Sequence, residues 1–87
     1  MNDNSPTMEV KVFAPFKTYF EGQALSLSGV NDTGPFDVLP HHKNFMSLLK
    51  PTTPIVVRAA GKEDFKMEIS RGVMHVSADN VTVFLDV

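Results

Sequence analysis

Three imidazoles and a short run of carboxylates are the residues of this 87-residue chain best suited to chemistry. His41 and His42 are adjacent, and His75 is the third histidine. Imidazoles bind metals and move protons near neutral pH. The adjacency argues against a shared ion, because neighbours on extended chain point to opposite faces. There is no cysteine to complete a zinc site. Glu63, Asp64 and Glu68 offer paired carboxylates for acid–base work, but charges flanking a hairpin are ordinarily solvated. No phosphate loop, nucleophile elbow or basic aromatic platform occurs. These residues point to a protein that is not an enzyme and holds no metal or cofactor, with His42 in a turn or interface.

The elements that must position these residues alternate with period two. Met8, Val10 and Val12 share one face, with Glu9 and Lys11 on the other. Leu25 and Leu27 alternate with Ser26 and Ser28, and Ile55, Val57 and Ala59 with Val56 and Arg58. Phe65, Met67 and Ile69, and later Val81, Val83 and Leu85, repeat the pattern. Short segments of this period are strands with one core face. Glu21-Gly22, Ser28-Gly29, Ala60-Gly61, Arg71-Gly72 and Asp79-Asn80 supply turn or bulge chemistry. The expectation is an all-β fold, a small two-sheet β-sandwich of about eight to ten short strands with no substantial helix. Residues 43–50 are the one helix candidate, with strand and single turn equally compatible. Residues 1–7 are polar and read as a flexible N-terminal arm, leaving 8–87 as the domain.

The segment Gly34-Pro35-Phe36-Asp37-Val38-Leu39-Pro40-His41-His42 departs from generic strand chemistry. Proline fixes φ and removes a donor, so this is not a central strand. It reads as a short edge strand followed by a rigid, extended turn, a place for a small all-β protein to meet a partner.

Composition excludes several functions. The formal net charge of -2 is no nucleic-acid footprint. No apolar run approaches the roughly 18 residues of a spanning helix, so any membrane association would be indirect. The 43% apolar content is enough for a folded core. The residues alone also allow a free-standing β-sandwich that binds a protein or ligand.

The order of motifs adds a family. Glu21-Gly22, Gly34-x-Phe36, Val38-Leu39-Pro40, His42, Leu48 to Pro51, Gly72-Val73-Met74-His75-Val76 and Asn80-Val81-Thr82-Val83 follow one another. This resembles the N-terminal β-sandwich domain of the epsilon subunit of F-type ATP synthase, the delta subunit of mitochondria. The family's middle motif reads Gly-acidic-Phe/Leu-Gly-Ile/Val-Leu-Pro-Gly/Asn-His. In this chain Pro35 stands at the acidic position, Asp37 at the second glycine and His41 at Gly/Asn. Arg71 replaces a later glycine, and His75 a glutamate. Asp37 and His41 belong to the residue types that tolerate positive φ, so the expected backbone path survives at both.

The resemblance implies a non-catalytic rotor subunit of the central stalk of a proton-translocating ATP synthase. It implies two partners, the gamma subunit and the c-ring, on the cytoplasmic face of the membrane, with the membrane reached only through the c-ring. Asp32, Thr33, Gly34 and Pro35 match the family's c-ring contact. Val38, Leu39, His41 and His42 match the stretch toward gamma, with Leu39 or Phe36 as apolar anchor. Family members continue into a two-helix hairpin linked to inhibition and ATP binding. With the sequence ending at Val87, the resemblance implies the rotor role without those activities.

Overall fold

One long strand, Lys17–Asn31, explains the architecture. The structure is a computed structural model describing residues 6–86. Its eight strands are β1 (Met8–Ala14), β2 (Lys17–Asn31), β3 (Gly34–Val38), β4 (Phe45–Leu49), β5 (Thr53–Ala59), β6 (Phe65–Ile69), β7 (Gly72–Ser77) and β8 (Asn80–Leu85). The sheet order is β4-β7-β8-β1-β2-β5-β6, with β3 paired to β2. Among the described residues, only β1 and β8 pair in parallel. The first half of β2 pairs with β1 from Lys17 to Ala24. The second half pairs with β5 and, from Leu27 to Asn31, with β3. The two expected layers are thus halves of one continuous sheet curled through β2. The curl brings β4 to the far end of β2, where the Lys50 N–H donates to the Val30 carbonyl at 2.8 Å.

The core lies between the halves. Met8, Val10, Val12, Leu27, Ile55, Val57, Met74, Val81, Val83 and Leu85 form one buried apolar cluster. Met67, Phe36 and Phe45 pack against it partly exposed. A close-packed interior of this kind resists deformation. No buried polar or charged residue occurs among the described residues.

Of the readings open for residues 43–50, strand is the one realised, because the Phe45–Leu49 stretch pairs with β7 in register from Phe45↔Val76 to Leu49↔Gly72. Elsewhere the fold departs from the sequence expectations. Leu25 and Leu27 do not share a buried face. The register of β2 against β5 shifts between Ala24 and Ser26, so Ala24 and Leu27 are buried and Leu25 is half-buried. A bulge inserts one residue and reverses the inside–outside phase beyond it. Asp37 is extended and lies opposite Ser28, whose hydroxyl donates to its carboxylate. Positive φ is found at His41 (68°) but not at Asp37. Val38 is fully buried. Of the expected N-terminal arm, residues 1–5 lie outside the described residues, and the Thr7 hydroxyl donates to Gln23 Oε1 at 2.7 Å.

Candidate interaction surfaces

The β2–β3 hairpin carries the first candidate surface. Asn31 lies opposite Gly34, leaving Asp32 and Thr33 at the tip. Asn31 Oδ1 accepts from the Thr33 backbone N–H at 2.9 Å and from the Thr33 hydroxyl at 2.6 Å. Its amide nitrogen donates to Ser47 Oγ on β4 at 3.1 Å. One side chain therefore closes the turn and ties it to the neighbouring strand. Gly34 has φ 116°, a conformation that an L side chain rarely adopts. Asp32, Thr33 and Pro35 are exposed. The hairpin presents a polar rim on a fixed backbone.

The β3–β4 connection carries the second. Val38 and Leu39 are consecutive, yet Val38 is 0% exposed and Leu39 is 56% exposed. Val38 is withdrawn from the proposed contact surface by the same alternation that turns Leu39 outward. The His42 N–H donates to the Leu39 carbonyl at 3.2 Å, closing a turn over Pro40 and His41. The His42 ring packs beside Phe45, with centroids 4.9 Å apart. The His41 N–H instead donates to Asp79 Oδ1 at 2.6 Å. The two adjacent imidazoles are engaged with different elements. His75 lies on β7 opposite Met46 and Thr82. Among the described residues, no group of three His, Cys, Asp or Glu is placed to hold a metal. Glu63, Asp64 and Glu68 are exposed.

A third surface was not foreseen. Leu48 lies opposite Val73, Val73 opposite Phe84, and Phe84 beside Phe13. The four side chains form one row across the outer face of β4, β7, β8 and β1. Leu48 is 72% exposed, with Met46 nearby on the same face of β4. Phe13 and Phe84 meet edge to face at 5.3 Å. A cleft of about 460 Å³ opens beside the row, lined in part by Asp32, Leu48, Lys50, Arg71, Val73 and Phe84. The polar rim at Asp32 thus borders an apolar hollow rather than standing alone. The signal was present in the sequence: Phe45-Met46-x-Leu48-Leu49, Val73-Met74 and Val83-Phe84 are apolar in both phases. Strands of that kind have two faces to cover.

Known proteins match this geometry and sequence. The family model described as "ATP synthase, Delta/Epsilon chain, beta-sandwich domain" matches residues 7–87. The ATP synthase epsilon chain of Clostridium novyi is 29% identical over 80 residues, covering 92% of this chain and 60% of that protein. Those of Brevibacillus brevis and Laribacter hongkongensis are 30% and 32% identical, covering 91% and 93% of this chain and 59% and 58% of their own length. The chain therefore spans somewhat under two thirds of these relatives. A chain of the Euglena gracilis mitochondrial ATP synthase superposes with TM-score 0.82 at 18% identity, covering 98% of this chain and 54% of that one. A chain from the central stalk and c-ring of the Tetrahymena thermophila enzyme gives 0.75 at 17%, covering 95% of this chain and 66% of that one. At such identities these superpositions establish the fold.

Proposed function

Because the chain belongs to the family of ATP synthase delta/epsilon chain β-sandwich domains, we propose that it is a non-catalytic rotor subunit coupling gamma to the c-ring. What carries this reading is the family match across residues 7–87. The protein performs no bond chemistry; it transmits torque by being stiff. A continuous sheet closed over one apolar core yields little under load. In this reading Asp32, Thr33, Gly34 and Pro35 meet polar loops of the c-ring. Leu39, His41 and His42 face gamma, without Val38. The protein is attached to the membrane peripherally, through the c-ring, on the cytoplasmic face.

Two experiments test the proposal. An affinity-tagged chain expressed in its host should bring down gamma and, from solubilised membranes, the c-ring. A chain that stays monomeric and ignores purified gamma overturns the rotor reading in favour of a free-standing binding module. Asp32→Lys should then separate the two surfaces. Reversing a rim charge acts chiefly on association and its salt dependence. We expect c-ring attachment to weaken about three- to tenfold, with gamma affinity unchanged, as measured by biolayer interferometry against each partner. Equal loss against both partners would argue that one surface serves both.

A further inference from the structure

Three non-glycine residues at positive φ meet at one place in the fold. His41 has φ 68°, Ala78 φ 49° and Asp79 φ 65°. His41 is in the β3–β4 connection; the other two form the entire β7–β8 turn, between the paired residues Ser77 and Asn80. Both turn residues being left-handed defines a type I′ loop, for which Asn-Gly is the favoured sequence. Ala-Asp is a costly occupant, and alanine has no polar side chain to offset the cost. Conformations of this kind persist when their surroundings over-determine them.

The surroundings are the two turns themselves. Asp79 Oδ1 accepts the His41 backbone N–H at 2.6 Å, and Asp79 Oδ2 lies 3.4 Å from His41 Nδ1. In the opposite direction, Asn44 Oδ1 accepts the Ala78 N–H at 2.9 Å. The Asp79 carbonyl accepts from Glu9 N–H at 2.8 Å, fixing the β7–β8 turn to β1. The β7–β8 turn thus supplies the acceptor for an amide of the Leu39–His42 turn. Asn44, two residues beyond that turn, supplies the acceptor for an amide of the β7–β8 turn, and the pair is anchored to the sheet. At the position of His41 a family member with glycine would reach positive φ unaided.

We propose that Asp79 is the positioning residue for the Leu39–His42 turn: its carboxylate holds His41 left-handed and so fixes how Leu39 and His42 are presented. Asp79 acts through His41. A pre-organised turn binds more tightly because less ordering remains to be done on association. The consequence for affinity rests on the reading that this turn faces gamma; the clasp itself does not.

The test is backbone amide exchange, measured by NMR on the full chain. Asp79→Gly removes the carboxylate while relaxing the left-handed position, so the hairpin itself should keep its stability. The His41 amide should exchange about tenfold faster or more, as for loss of a charge-assisted hydrogen bond. The amides of Val81 and Val83 should keep their protection. Asp79→Asn retains an oxygen acceptor and tolerates positive φ, so it should return the His41 amide to within about threefold of the original. An unchanged His41 rate in Asp79→Gly overturns the proposal. So does equal loss in Asp79→Asn and Asp79→Gly, which would make the effect one of net charge. Affinity for purified gamma should fall about fivefold in Asp79→Gly. If the turn loosens and gamma affinity holds, the clasp stands and the placement of gamma on this turn fails.

Discussion

Leu27→Ala should lower the melting temperature by about 12–24 °C, whereas Leu25→Ala, two residues away on the same strand, should lower it by less than about 8 °C. Leu27 is fully buried and stands at the branch of the sheet, opposite Val38 on one side and Val57 on the other. Truncating such a leucine removes its transfer energy and leaves a cavity, at a cost of about 2–5 kcal/mol. A domain of this length has about 4–13 kcal/mol in total. Taking about 3 kcal/mol, and about 4–8 °C per kcal/mol for small domains, gives the stated shift. Leu25 is the half-buried residue in the bulge, and its truncation should cost under about 1 kcal/mol. Calorimetry on both variants decides the matter. Equal losses would mean that the β2–β5 register lacks the bulge and that the two leucines share a face.

That contrast marks where sequence reasoning reaches its limit. Alternation located β1, β5, β6 and β8 and their buried faces, because a regular strand converts period two directly into inside and outside. β2 escaped the same logic at one point. A bulge adds a residue without changing composition, and Ala24-Leu25-Ser26-Leu27 reads as unbroken alternation either way. β4 was ambiguous for a different reason: Phe45-Met46-Ser47-Leu48-Leu49 is apolar in both phases, and short apolar runs carry no period. Its strand identity comes from pairing with β7, a non-local fact. The rim was legible, since Asn31-Asp32-Thr33-Gly34 is a turn by residue type alone. The clasp was not. His41 and Asp79 are 38 residues apart in sequence, and nothing local joins them. The resemblance groups Val38 with Leu39 and His41 on one surface, whereas the strand ending turns Val38 into the core and Leu39 outward.

The same adjacency yields the sharper functional test. Leu39→Asp should reduce gamma affinity about thirtyfold or more, while Val38→Asp should abolish the folded domain. Leu39 is 56% exposed in the free chain, so a carboxylate there stays in water, and stability should move by no more than about 0.5 kcal/mol. On binding, an apolar anchor at the centre of an interface carries about 2 kcal/mol or more, which is about thirtyfold in affinity. A carboxylate in its place must also be desolvated. Val38 is enclosed by the core, and an unpaired charge buried there costs several kcal/mol, a large share of the total. Isothermal titration against gamma, with circular dichroism melting of each variant, separates the two mechanisms. If Leu39→Asp stays folded and binds gamma as the original chain does, gamma does not seat on this turn. The outer row of Leu48, Val73 and Phe84 then becomes the candidate face for gamma, and Leu48→Asp, at a side chain more exposed than Leu39 and so no more harmful to the fold, is the variant that should lose it.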